Sequence, residues 1–420
     1  MSFNEWEAFK LGELIDIKHG FAFKGEFFSK EPTDDILLTP GNFKIGGGFK
    51  DEKAKYYKGQ YPPAYILKEG DLIVTMTDLS KAGDTLGYAA KIPQHEKIRY
   101  LHNQRLGLVV FKKQDIVPDY LYWLLRTRDY QLFIVNSATG TTVKHTSPTL
   151  IRQYEFKAPK NKETQTRVAS ILSSFDDKIE LNRQINQTLE AITQTIFREM
   201  CVPKGDALPK GWKEKTFEDE FEAERGLSYK GAGLAESEGV PMHNLNSIYE
   251  GGGYKTGGVK YYTGAYKEKN VVKPGDLIVA NTEQGHKYRL IGFPAIVPKF
   301  FGDLGIYSHH IYKLTPKRSS YLSSDFAYHL LLRNEVREQV IGFANGTTVN
   351  MLKVEGLKKP TFRMPPKDIV EKFTAIAKAN RLLVEANIEE NQTLTALRDS
   401  LLPKLMKGEL EVKEELCLEK

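Results

Sequence analysis

Two textures of hydrophobic and polar positions alternate along the chain. In the first, short apolar runs are closed off by Gly-Asp pairs. Leu72–Thr75 follows Gly70-Asp71, and Leu277–Ala280 follows Gly275-Asp276. Such runs among Gly, Tyr, Phe and Thr predict strands joined by turns. In the second texture, glycine disappears and apolar residues recur at alternating threes and fours. Over 163–200 the stripe is Val168, Leu172, Phe175, Ile179, Ile185, Leu189, Ile192 and Ile196. Over 367–406 it is Phe373, Ile376, Leu383, Leu394, Leu397, Leu401 and Leu405. This spacing predicts two long helices with a coiled-coil seam. The apolar spacing also predicts one helix inside each strand-rich part, at 119–133 and 324–340.

The textures repeat because the sequence does. LKEGDLIVTMTDLSKAGDTLGYAAKIP (67–93) aligns without gaps on VKPGDLIVANTEQGHKYRLIGFPAIVP (272–298), with ten of 27 positions identical. The same offset of 205 joins GGGFK (46–50) to GGGYK (251–255), YYKG (56–59) to YYTG (261–264), and NQTLEA (186–191) to NQTLTA (391–396). An offset of 206 joins GFAFKG (20–25) to GLSYKG (226–231) and ATGTTV (138–143) to ANGTTV (344–349). A period this long is two copies of a whole module, not a solenoid.

The expected organisation is α+β: a β-rich module over 1–160, a helix over 161–200, a linker over 201–211, a second module over 212–366, a second helix over 367–406 and a tail over 407–420. Each helix would be about 57 Å long at about 1.5 Å per residue. An exposed heptad stripe is an aggregation liability, so the two helices are expected to pack on each other. Seam residues are Leu172, Phe175, Ile179, Asn182 and Leu189 on the first, and Ile376, Leu383, Asn387 and Leu394 on the second. Asn182 and Asn186 match Asn387 and Asn391 in the repeat. Asn inside such a seam fixes register at a cost in stability, whereas Asn beside it only meets solvent.

Composition narrows the function. With 420 residues, 40% hydrophobic and 27% charged, the chain is globular and multi-domain. It contains no apolar run long enough for a transmembrane helix, and its start, MSFNEWEAFK, lacks a signal-peptide pattern. The two cysteines, Cys201 and Cys417, fit a reduced, cytoplasmic compartment and show no zinc spacing. A net charge of +6 permits a nucleic-acid partner without requiring one.

Catalytic motifs are scarce. No phosphate-binding loop is present; GNFKIGGG (41–48) and EGGGYKTGG (250–258) read as loops. Neither QYPPAY (60–65) nor RMPPKD (363–368) has the polar residue an amine methyltransferase needs. One nuclease-like pattern appears: Asp119, then Glu155 and Lys157, which could hold Mg²⁺. Asp119 also fits a helix N-cap, and the second copy has Asp325 followed by Thr361 and Arg363, without the second acid. The nine histidines form no ligand spacing. No metal, cofactor or catalytic residue is therefore assigned.

What remains is a set of basic residues in the polar loops of both copies. Lys24 and Lys230 lie in the GFAFKG and GLSYKG turns, and Lys55 and Lys260 precede the double Tyr. Lys81, Lys144 and His145 lie in the first copy's loops; His286, Lys287 and Arg289 lie in the second's. Lys and Arg in glycine-rich loops can reach phosphates and base edges. These ten are the candidate DNA-contacting residues. A tandem scaffold or glycan-binding protein built on Tyr-rich modules is the alternative, with a stand-alone Mg²⁺-dependent nuclease behind it.

Over about 1–412 the chain resembles the DNA specificity (S) subunit of type I restriction-modification systems. LPKGWKEKTFEDEF (208–221), the GFAFKG and GLSYKG turns, EGDLIV and PGDLIV, ATGTTV and ANGTTV, and NQTLTALRDSLLPKLMKGELEV (391–412) carry the resemblance. It implies two target recognition domains, each reading one half of a split asymmetric site in double-stranded DNA. The two helices would pack as an antiparallel coiled coil that sets the unread gap. Two methyltransferase subunits would bring the adenine chemistry, and restriction subunits would add cleavage. The S subunit itself would be non-catalytic, without cofactor and away from membranes.

Overall fold

The computed structural model describes residues 5–51, 54–205, 207–284, 287–346 and 349–412. Residue contacts divide the chain into two units, Met1–Ile179 with Thr393–Lys420, and Glu180–Gln392. Each unit holds one β-rich module and a stretch of both long helices. The first long helix is Lys162–Cys201 and the second Lys367–Met406, 40 residues each. None of the helices among the described residues is long and apolar enough to cross a membrane.

In the first unit an antiparallel four-stranded sheet has the order Ile15–His19, Leu106–Phe111, Leu72–Thr75, Ala89–Lys91. Beside it runs a five-stranded sheet: Phe28–Ser29, Tyr56–Tyr57, Asp35–Leu37, Arg99–Leu101, Ile66–Leu67. Its one parallel pair is Asp35–Leu37 with Arg99–Leu101. Leu72–Thr75 is buried at every residue. That is why it reads as an unbroken apolar run rather than an alternating one.

The second unit repeats this topology. Its four-stranded sheet is Phe221–Arg225, Ile311–Pro316, Leu277–Ala280, Pro294–Ile296. Its five-stranded sheet is Leu234–Ala235, Lys260–Tyr262, Val240–His243, Gly305–Tyr307, Val271–Val272. In these two sheets the internal repeat is thus a repeat of fold, strand for strand.

The helix expected within each module is two helices, Pro118–Leu124 with Arg128–Ser137, and Ser324–Leu331 with Asn334–Ile341. In the first module Thr127 ends one and starts the next. Its hydroxyl donates to the Leu124 carbonyl and accepts from the Tyr130 N–H, a side-chain cap that apolar spacing does not reveal. Asp119 is not the N-cap: Val117 is, and Pro118 fills the first helical position, where a missing N–H costs nothing.

The modules dock on the long helices through their cores. In the first unit the fully buried Trp123 donates from Nε1 to Ser173 at 3.0 Å, within a core that takes in Val168, Leu172, Leu402 and Leu405. Gln165, fully buried, accepts from the Val117 N–H at 2.8 Å and donates to the Pro159 carbonyl at 2.8 Å. It thereby locks the helix start to the end of the module. In the second unit Phe326, Phe373 and Phe197 share one core with Val370 and Ala377.

An ion pair adds to each docking, with the charges exchanged. Arg126 of the first module meets Asp176 at 2.5 Å, and Arg398 grips the other oxygen of Asp176. In the second unit Arg381, at the position equivalent to Asp176, meets Asp325 at 2.7 Å and Glu385 at 2.5 Å. Burial alone would raise the Asp176 pKa, but the two guanidinium groups outweigh it and hold the carboxyl below its ordinary range.

Within the second unit the two helices pair antiparallel. Asn182 donates to Asn391 at 2.9 Å, Asn387 to Asn186 at 2.8 Å, and Asn380 to the Thr193 hydroxyl at 2.9 Å. Asn182 is 0% exposed and Asn387 9%. Leu172 is buried, and Phe175, Ile179, Leu189 and Leu394 are half-buried. Ile376 and Leu383, expected in the seam, are instead 37% and 48% exposed. The inward row of the second helix is Val370, Phe373, Ala377, Asn380, Val384 and Asn387. Ile376 and Leu383 each precede an inward residue by one position, about 100° round the helix. Polar residues occupy part of the true row, so apolar spacing selected its neighbours.

Candidate nucleic-acid interface

At the end of the central GDLIV strand each module extends a loop pinned by a buried carboxylate. In the first, Asp78 accepts from the N–H of Ser80 at 2.7 Å, the N–H of Thr85 at 2.6 Å and the Thr85 hydroxyl at 2.7 Å. Burial pushes the Asp78 pKa up, but these hydrogen bonds push it further down, so it stays ionised below the usual range. In the second, Glu283 accepts from the N–H groups of Arg289, Leu290 and Ile291 at 2.9, 2.8 and 3.2 Å. In the first module the loop is tied near both ends to one carboxylate, which holds it in a defined shape.

A second loop lies alongside. Lys144–His145 pairs antiparallel with Thr77–Asp78, and Val349–Leu352 pairs with Thr282–Gln284. This pairing brings the strands that lead out of the ATGTTV and ANGTTV motifs beside the pinned loops. It gathers exposed Lys81 and His145 with half-buried Lys144 in the first module. His145 Nδ1 lies 3.2 Å from the Thr77 hydroxyl. In the second module the corresponding loops carry exposed Lys287 and Arg289, with Val349 and Met351 42% and 40% exposed. Arg289 lies 3.6 Å from Glu250. His286 lies outside the described residues. The two loop pairs therefore share a backbone plan and differ in chemistry.

The remaining candidates belong to the five-stranded sheets. Lys55 stands 3.7 Å over the Phe28 ring; burial, helped by Arg105, lowers its pKa. Exposed Lys24 lies 3.9 Å from Glu26. Lys230 and Lys260 are exposed, on a turn and at a strand start. Aromatic rings surround the first-module pair, with Phe23, Phe27 and Phe28 all packed on Tyr57. Cations beside aromatic rings suit both phosphates and stacked bases.

The acids of the nuclease-like pattern are engaged elsewhere: Asp119 with Lys91 at 2.6 Å, Glu155 with Lys10 at 3.3 Å. Among the described residues no three or more His, Cys, Asp or Glu are grouped to hold a metal ion.

Sequence reading missed Asp78 and Glu283, although the repeat marks them. Each acid follows a Thr just beyond GDLIV, at the same place in both copies. It also missed the clamps on the loop backbone. Gln131 donates to the Gly83 carbonyl at 2.8 Å, and Arg337 donates to the carbonyls of Tyr288 and, at 3.2 Å, Ile291.

Comparison with known proteins agrees with the repeat. The sequence model of a family described as "Type I restriction modification DNA specificity domain" matches twice, over residues 4–191 and 209–390. The type I restriction enzyme MjaIX specificity subunit of Methanocaldococcus jannaschii is 23% identical over 329 residues, 73% of this chain and 72% of that protein. The HindI specificity subunit of Haemophilus influenzae is 28% identical over 225 residues, 47% of this chain and 46% of that protein. In fold, the chain is similar to the S subunit of a type I restriction-modification system from M. genitalium, with TM-score 0.59 and 15% identity, covering 96% of this chain and 97% of that one.

Proposed function

The chain belongs to the type I restriction modification DNA specificity domain family, and on that premise we propose that it is the DNA-reading subunit of a methylation and restriction complex. Each module reads one half of a split site in double-stranded DNA, and the paired long helices set the unread gap between the halves. Adenine methylation comes from partner methyltransferase subunits, two per chain, and cleavage from restriction subunits. The chain supplies specificity rather than catalysis, and works in the cytoplasm.

One observation carries this reading. The same pair of loops is built twice on the same strands, each pinned by a buried acid, while the side chains on them differ. A conserved frame with divergent contacts is what two different short sequences require. Fixed spacing between two readers then gives a fixed spacing between half-sites. The modest net charge suits a reader whose partners add phosphate contacts.

The test is to express the chain with a cognate methyltransferase subunit in a host lacking other adenine methylation, then map modified adenines by long-read sequencing. A split motif with a constant gap is the expected result. Soluble, co-purifying subunits that leave the genome unmethylated would overturn the reading.

A further inference from the structure

The turn of the pinned loop has a different side chain at it in each module. In the first, that turn is at Gly83, with φ +73. A Cβ built on Gly83 would sit 3.1 Å from Cγ2 of Val135 and 3.3 Å from Cδ of Lys144, which pairs across the strands with Asp78. The Lys144 stem therefore packs beside the turn, and the residue is half-buried.

In the second module the residue equivalent to Gly83 is Tyr288, and buried Asn350, paired with Glu283, takes the place of Lys144. Tyr288 keeps the left-handed conformation, with φ +46. It is the one non-glycine residue with positive φ among the described residues. Glycine would make this turn without strain, as it does in the first module. A bulky residue there crowds its own backbone. The surroundings enforce the strain: Arg337 clamps the Tyr288 carbonyl, and Glu283 holds the next three N–H groups. The Tyr288 ring is half-buried against the module core, and its hydroxyl has no hydrogen bond among the described residues. Strain kept by a rigid frame marks functional positions.

The geometry points to one specificity-determining position in each module, occupied by Lys144 in the first and by Tyr288 in the second. This rests on the DNA-reading role proposed above. Lys144 presents an ammonium that donates to purine N7 or O6 in the major groove; Tyr288 presents an apolar ring edge that suits a thymine methyl, with a hydroxyl beside it. The two modules thus read their half-sites with different side chains placed at equivalent turns.

The experiment compares the full chain, Lys144→Met and Tyr288→Gly, each co-expressed with the methyltransferase subunit, by long-read methylation mapping. Lys144→Met keeps the stem beside Gly83 and removes the charge. Tyr288→Gly restores the first module's turn. Each variant is expected to lose about 10-fold or more of its discrimination at one base position of one half-site. The two variants should affect different half-sites, and the other half-site should be untouched in each. A motif unchanged in both variants overturns the proposal, as does a uniform drop in methylation with both half-sites intact, which is the signature of a structural role. If Tyr288→Gly fails to fold, a photoreactive benzoylphenylalanine at position 288 decides. Crosslinking to the second half-site supports the assignment, and binding without crosslinking overturns it. A parent chain that directs no split motif removes the DNA-reading role itself, a result distinct from any of these.

Discussion

His102, His243 and His329 are buried, and burial lowers each pKa to about 4. For His102 the Leu106 carbonyl opposes the shift without reversing it. An unfolded histidine titrates near about 6.5. Between these values the unfolded chain binds more protons than the folded one. Stability is therefore full above about pH 6.5 and falls as pH drops towards 4, by up to about 1.4 kcal/mol per pH unit for each histidine. Melting temperature measured from pH 7 to 4.5 should decline, and less steeply in His329→Phe; identical slopes would rule this out. Asp176 titrates in a different window. Its depressed pKa contributes stability above about pH 3.9 that is lost only as pH falls through the folded value. Removing it leaves Arg126, whose side chain is 3% exposed, as a buried unpaired cation. Asp176→Ala should cost about 3–5 kcal/mol in urea unfolding. A cost under about 1 kcal/mol would mean water reaches that guanidinium.

At the scale of elements, the asparagines decide how the long helices meet. Asn387 donates to the Asn186 amide oxygen at 2.8 Å in the second unit. An amide pair in a seam is weaker than leucine but tolerates fewer alternative registers. Replacing both Asn186 and Asn387 with Leu is expected to raise the melting temperature while producing more than one species in native mass spectrometry. A single species at higher melting temperature would show that register is set elsewhere. The long helices and central strands were legible in sequence because burial patterns are periodic: Leu72–Thr75 and Leu277–Ala280 are strands with the expected bounds. The seam was only half legible. Ile376 and Leu383 have the right chemistry and the wrong angle, and Asn380 has the right angle and a polar side chain.

At the scale of the molecule, the proposed division of labour makes a geometric prediction. Four residues inserted after Gln187, with four more after Ala386 on the second helix, lengthen each helix by about 6 Å, about two base-pair steps. The methylated motif should keep both half-sequences with a longer gap, or methylation should cease. Altered half-sequences would mean the helices read bases.

The sequence alone determined the duplicated plan, the α+β class and the two long helices, because repeats and periodic burial are written in consecutive residues. It also marked basic residues in loops that the structure sets side by side within each module. Only the tertiary structure showed that Asp78 and Glu283 pin those loops, that Asp176 and Arg381 carry exchanged charges at one equivalent site, and that Lys144 packs by the Gly83 turn while Tyr288 forms the equivalent turn of the second module. The reason is physical. These roles depend on hydrogen-bond geometry, backbone φ and contacts between residues far apart in sequence. A carboxylate that anchors a loop and one that meets only solvent are the same letter until the chain folds round them.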